Sequence, residues 1–436
     1  MRPASRLIRT ATARAALVLA PVLAMAACNS LLEVQAPSRV LDENLSKPEA
    51  AKLLVDGARA ALGCAFQAHI TGNALLTDEM EDTQLAAAAW DWDRRGWTGA
   101  LGQAYAQSPC TAFQIFGTYT PLQTARFGAD DAVNRLNAFS DQEVPNRTAL
   151  LAQGNLLAGY SRIFIGEGYC AAAIDLGPEL APKDFFTQAE QRFSEAITQA
   201  QTGGVSSTIG IAATLGRARA RLNLARLPGQ AVDLARYTAA KADANAVPAG
   251  FLYAMPYSTA TTYAQNSIVQ RNRLSLLYSV SANYRNLNDP RVSVTNSGLR
   301  GADAVNTVWF ANKYTALNTP IPLAKYEEAQ LILAEADLAA GSLQAAIDRL
   351  NTRRARTGVA LPPYAGGLTP AEVQAFLLSE RAKELFLEGH HFWDINRFNL
   401  PLDPAVGVPF PGKGGTYADL RCLPLPDIER LNNPNL

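Results

Sequence analysis

The chain has no excess charge of either sign: its 436 residues carry 39 Lys plus Arg against 39 Asp plus Glu. No global field draws in polyanions or anionic lipid heads, so nucleic acid is not an expected partner. Histidine is scarce, with three residues, and no HExxH, GxSxG elbow or phosphate-binding glycine loop occurs. The usual signatures of metalloproteases, serine hydrolases and nucleotide enzymes are thereby missing, and no catalytic residue, metal or cofactor is expected. The five cysteines lack the paired-CxxC spacing of zinc sites. Long apolar runs are also absent, with one exception at the start of the chain.

That exception runs from Ala15 to Ala27 without a charge, behind Arg2, Arg6, Arg9 and Arg14. Basic then apolar is the outline of a secretory signal peptide, and about thirteen residues fall short of the roughly 20 a helix needs to cross a bilayer. The run closes on Leu23-Ala24-Met25-Ala26-Ala27-Cys28, which resembles a lipobox. Residues 1–27 are thus predicted to be removed and Cys28 to become a lipidated first residue. The competing reading is an ordinary signal peptide with a chance cysteine at its boundary. Asn29 is not the aspartate that commonly retains lipoproteins at the inner membrane, which agrees with an outer-membrane destination. With Cys28 carrying lipid, Cys64, Cys110, Cys170 and Cys422 remain, an even number in a compartment where disulfides persist. Two bridges are expected. Three pairings are possible, and Cys64–Cys110 with Cys170–Cys422 is the one we favour.

Residues 28–45, with Pro37, read as an extended tether, and residues 46–436 as a single domain. Ser46 and Glu49 form a capping box ahead of Leu53, Leu54, Gly57, Ala58, Ala61 and Leu62 at helical spacing, predicting an amphipathic helix that ends near Gly63. From about 118 to 242 apolar positions such as Phe186, Ala189, Phe193, Ala196, Ile197 and Ala200 recur every three or four residues, and Gly203-Gly204 and Leu227-Pro228-Gly229 break the run into helices. Short breaks imply helical hairpins. Between about 324 and 389 the pattern returns, divided at Gly341-Ser342. These units resemble tetratricopeptide repeats in size and small-residue packing. Between about 243 and 323 the helical period vanishes in favour of Tyr, Thr, Ser, Asn and Pro. This stretch is predicted to be a long irregular insertion, and loops of that length in a compact protein are usually functional or disordered; its aromatics argue against disorder. The last helix is predicted to open at Thr369-Pro370-Ala371-Glu372 and close at Gly389.

Several segments, in order, resemble the SusD/RagB family of outer-membrane nutrient-binding lipoproteins. Leu31-Leu32-Glu33-Val34 with Pro37 follows the lipidated cysteine, and the capped first helix comes next. Asn288-Asp289-Pro290-Arg291 and the run Ala329 to Ala336 resemble the family's middle region and repeat helix. The most specific are Glu380-Arg381-Ala382-Lys383-Glu384-Leu385-Phe386-Leu387-Glu388-Gly389-His390-His391-Phe392-Trp393-Asp394, and the closing Leu423-Pro424-Leu425-Pro426 with Asn432-Asn433-Pro434-Asn435-Leu436. The resemblance implies a mostly α fold, about four tetratricopeptide-like hairpins as scaffold with long irregular ligand-binding loops on one side. It also implies an oligosaccharide or peptide ligand, and a SusC-type TonB-dependent transporter as partner, with no bond made or broken.

Trp90-Asp91-Trp92-Asp93-Arg94-Arg95-Gly96-Trp97 gathers three of the five tryptophans in a segment without helical spacing. Indole faces stack on the apolar C–H faces of sugars, and neighbouring carboxylates and guanidinium groups take their hydroxyls. Trp90, Trp92 and Trp97 with Asp91, Asp93, Arg94 and Arg95 are therefore the candidate ligand contacts, against the commoner reading of aromatics as packing. Tyr119, Tyr257, Tyr263, Tyr278 and Tyr284 are weaker candidates. Asp78-Glu79 and Glu81-Asp82 could serve glycoside hydrolysis or calcium, but neighbouring acids on one short segment cannot alone face each other across a substrate, and the EF-hand spacing is absent. His390 and His391 are adjacent and diverge on a helix, so a structural role in an ionic network of Glu380, Arg381, Glu384 and Arg397 around Phe392 and Trp393 is expected. The alternatives to nutrient capture are a repeat-based assembly adaptor without a small ligand and, less consistent with the residues, a lipid-anchored glycosidase.

Overall fold

The computed structural model describes residues 42–85, 92–96, 110, 117–203 and 207–436. Cys28, the signal peptide and most of the tether lie outside the described residues. The described residues up to Ala50 belong to a unit of their own, in which Asp42–Leu45 and Pro48–Ala50 are single helical turns. The Ser46 hydroxyl there donates to the Asp42 carbonyl at 3.2 Å.

Ala51–Leu436 forms the second, compact unit. Its first helix, α1, spans Ala51–Leu76, well past the expected end at Gly63. The reason is burial. Every residue from Leu62 to Leu76 is buried, so packing on all sides outweighs the roughly 1 kcal/mol that a glycine costs in a helix. Hairpins follow: α2 (Tyr119–Ala138) packs on α1, α3 (Arg147–Gly168) on α4 (Pro182–Thr202), α5 (Ser207–Ala225) on α6 (Leu234–Asn245), and α7 (Tyr326–Ala339) on α8 (Leu343–Arg354). The fold is mostly α, as the periodicity predicts.

Close approach between these helices rests on glycines facing phenyl rings. Phe193 of α4 sits so near Gly159 and Gly216 that an added Cβ would come within 2.6 and 2.5 Å of its ring, and Phe186 crowds Gly166 in the same way at 2.7 Å. One hydrophobic core runs through α1 to α7. A smaller one, built on Leu331, Ile347, Leu350, Val373 and Leu377, joins α7 and α8 to α9 (Pro370–Glu384).

The capping box at Thr369 is present: its hydroxyl accepts from Glu372 N at 3.3 Å, and Thr369 N donates back to the Glu372 carboxylate at 3.2 Å. Helix α9 stops at Glu384, however, and Gly389 is not a helix end. Gly389, at φ +80° and with His69 2.9 Å from where a Cβ would stand, belongs to the turn that leads into α10 (His391–Arg397). A short helix, Asp427–Asn432, comes later still.

The stretch expected to be irregular is instead partly paired. It holds β2 (Leu252–Met255), β3 (Tyr278–Val280), β4 (Val294–Arg300), β5 (Thr307–Ala311) and β6 (Ile321–Lys325), while β1 (Met80–Asp82) comes from the end of α1. They form three two-stranded antiparallel ladders, β1–β3, β2–β6 and β4–β5. These strands are short, two of the ladders are broken by bulges, and two pair over long sequence separations, so no alternating pattern long enough to read is left in the sequence.

Candidate functional site

The most family-like motifs build a buried ionic scaffold. Arg397, with a side chain 0% exposed, lies between Glu335 at 2.7 Å and Asp394 at 2.7 Å. Arg381 meets the other edge of Asp394 at 2.8 Å. Burial alone would raise the Asp394 carboxyl, but these two guanidinium groups hold it down at about 2. Arg291 joins Asp289 and Glu380 at 2.7 Å each, and Arg354 and Arg356 close on Glu380 and Glu384 at 2.6 and 2.7 Å. The four residues expected to pair with one another do not: Glu380 and Glu384 take Arg291, Arg354 and Arg356, whereas Arg381 and Arg397 take Asp394 and Glu335.

The histidines separate. His69 and His390 are buried, and burial with the nearby Arg219 charge depresses both, His69 to about 3. Burial would lower His391 as well, but Asp78, 2.8 Å from its Nε2, raises it to about 9. The acidic run is likewise engaged. Glu81 pairs with Arg285, Asp82 with Lys413 at 3.0 Å, and Glu79 accepts from Leu387 N at 2.8 Å. Among the described residues no group of three or more His, Cys, Asp or Glu is placed to hold a metal ion.

Of the aromatic segment, Trp90, Asp91 and Trp97 lie outside the described residues. Trp92 is 1% exposed, its ring set against Gly72. It is a core side chain, which corrects the expectation of an open stacking face there: Gly72 leaves room on α1 for the indole, and nothing in the local sequence signals that recess. Asp93 is buried and accepts from Asp82 N at 2.6 Å. Arg95 is also buried, donating to Ala418 O at 2.9 Å and to the Pro404 carbonyl, over the Tyr417 ring at 5.0 Å. Arg94 is half-buried, and its carbonyl accepts from Ala418 N at 2.8 Å. These residues fasten the segment to the chain around 403–418. Among the tyrosines, Tyr119, Tyr278 and Tyr284 are buried.

Tyr257 and Tyr263 do line an open groove of about 630 Å³, between the middle of α1 and the chain from Met255 to Ala264. Its floor is Ala60, Ala61, Met255 and Pro256, and Ser258 and Thr261 bring hydroxyls to it. Tyr263 is 54% exposed. Tyr257 is fixed by a 2.9 Å bond to Gly63 O, and burial raises its phenol. Arg59 lines the groove with a buried Nε that has no hydrogen-bond partner among the described residues. Asp56, also lining it, pairs with Lys52. One wall is the Cys64–Cys110 disulfide. The second disulfide, Cys170–Cys422, is present too. Sequence reasoning missed Arg59 and Asp56 because a charge on the polar stripe of an amphipathic helix carries no mark of what lies opposite.

Residues 253–419 match the SusD family model. Over most of its length the chain superposes on solved structures of that superfamily. A SusD-like carbohydrate binding protein from Bacteroides vulgatus is 15% identical, with a TM-score of 0.64 over 89% of this chain and 97% of that one. A SusD superfamily protein from Parabacteroides distasonis is 14% identical, with a TM-score of 0.63 over 91% and 99%. A SusD homolog from Bacteroides thetaiotaomicron is 14% identical, with a TM-score of 0.62 over 92% and 98%. No curated protein matches the sequence. Segment 253–419 thus resembles the SusD family, and over its described length the chain has the fold of these structures. No helix among the described residues is long and apolar enough to cross a membrane.

Proposed function

We propose that the protein is a lipoprotein of the outer membrane, anchored through Cys28, that captures an oligosaccharide or similar nutrient fragment and hands it to a SusC-type TonB-dependent transporter without chemical change. The groove beside α1 carries this reading. It combines an exposed phenol ring, a guanidinium with an unsatisfied buried Nε, two hydroxyl side chains and an apolar floor, which is the mixture a sugar requires: a flat apolar face to stack on and polar groups at its edge. The named binding activity of the Bacteroides vulgatus relative supports the same class of ligand. The acids that would have favoured a hydrolase are committed to Arg285, Lys413, His391 and Leu387 N, which supports binding over catalysis.

Calorimetry of the protein against a panel of glycans and peptides tests the reading. One glycan class is expected to bind, with Tyr263→Ala and Arg59→Ala each weakening it by about tenfold. A ligand bound equally well by both variants removes the groove from the account. Cys28→Ser is expected to leave the fold intact and release the protein from the membrane fraction; retention there means another feature anchors it.

A further inference from the structure

A second cleft, of about 640 Å³, opens where the first turn of α4, the loop after α5 and the end of α10 meet the chain at Cys422. Its charged lining is of one sign. Lys183 and Arg421 face it and, among the described residues, no carboxylate does. Asp184, the acid next to Lys183, accepts from Ala181 N at 3.0 Å and so caps α4. Neither cation has a carboxylate partner among the described residues; Arg421 donates through one Nη to Leu400 O at 3.0 Å, which leaves the Nε and second Nη edge of its fork unused.

The remaining polar lining is idle in the same way. The side-chain amides of Gln230, Asn396 and Asn399 have no partner among the described residues. Trp393, 3% exposed, lines the cleft with a buried indole N–H that has no acceptor among the described residues. Buried donors are nearly always satisfied, so one left open beside a cavity points to something that fills it. The wall is held rigid before any ligand arrives. Cys170–Cys422 lines the cleft, and Cys170 N to Leu423 O and Leu423 N to Gly168 O are both 2.9 Å. Binding would therefore lose little to ordering of the site.

We propose that this cleft is a separate ligand site for a small hydroxylated anion, an acidic sugar bearing a carboxylate or a sulfate ester. The free guanidinium edge and Lys183 take the anionic oxygens through charge-assisted hydrogen bonds, and the three amides take hydroxyls as donors or acceptors. A neutral sugar would leave both cations unanswered. This site does not depend on the reading of the groove beside α1.

The test is titration calorimetry of the full chain with digalacturonate, a sulfated disaccharide, inorganic sulfate and neutral cellobiose. One of the two acidic sugars is expected to bind, and the stronger of them tells carboxylate from sulfate. Lys183→Glu, at an exposed position, is expected to weaken it by at least about tenfold with an unchanged melting temperature. Arg421→Gln is expected to do the same, and Tyr263→Ala to leave it unaltered. Failure of both acidic sugars to bind, or wild-type affinity in Lys183→Glu, overturns the proposal. So does inorganic sulfate binding as tightly as either sugar, which would make the cleft an adventitious ion site only.

Discussion

Arg397 on α10 and Arg59 on α1 are both helical arginines in one compact unit, yet their surroundings are opposite. Arg397 is sealed between two carboxylates, while Arg59 borders a groove with its Nε unanswered among the described residues. The same contrast separates Arg291, Arg354, Arg356 and Arg381, all paired with buried acids, from Lys183 and Arg421 in the second cleft. Charges that answer one another inside the protein fix the packing of helices. Charges left without a carboxylate at a concave surface remain available to something outside.

Breaking the scaffold side should have the largest effect. Arg397→Ala removes the nearest cation from buried Glu335 and one of the two from Asp394, and a loss of about 3–5 kcal/mol is expected, read by urea unfolding. A loss near zero would mean the pairs do not hold α10 in place. Next in size is the Cys170→Ser, Cys422→Ser double variant, in which opening a loop of 252 residues should cost about 2–5 kcal/mol. Glu79 sharpens the contrast, because it is a scaffold acid with no cation on its Oε2. Burial, with Asp78 adding to it and His391 and the Leu387 N–H opposing, raises its carboxyl to about 7. The folded state holds this proton more tightly than the unfolded chain, so its share of stability is full below about pH 4.5 and is lost as pH rises towards 7. Glu79→Gln should flatten the decline in stability between pH 4.5 and 8, by no more than roughly 3 kcal/mol. An identical slope in the variant would assign the decline to Asp82 and Glu328, which burial also raises. Smallest is Tyr263→Ala, expected to shift stability by less than about 0.5 kcal/mol while weakening the ligand; a large drop in melting temperature would move Tyr263 to the scaffold.

The same division governs what could be read in the sequence. Helical hairpins were legible because Phe193, Ala196 and Ala200 repeat with the helix itself, and the Thr369–Glu372 cap because all its parts are local. The extent of α1 was not, since the neighbours that bury Gly63 and Gly72 come from Met255 and Trp92. Neither were the ladders, whose partners lie as far apart as Met80 and Val280. Trp92 shows the limit most clearly. Tryptophan in an irregular, charged segment is a fair sign of a ligand platform, but a recess made by a single distant glycine turns it into core. The groove was half legible. Its tyrosines stood out in a loop-rich stretch, whereas Arg59 became visible only once the loop lay across the helix.

The two disulfides join cysteines that are neighbours in chain order, Cys64 to Cys110 and Cys170 to Cys422. An oxidase that links thiols in the order in which they emerge during export would therefore make both native bridges at the first attempt, with no need for an isomerase to reshuffle them. That rule works only if the thiol ahead of Cys64 is out of play, so a lipid placed on Cys28 before the rest of the chain folds would do more than tether the protein: it would keep the count of free thiols even and the sequence of pairing correct.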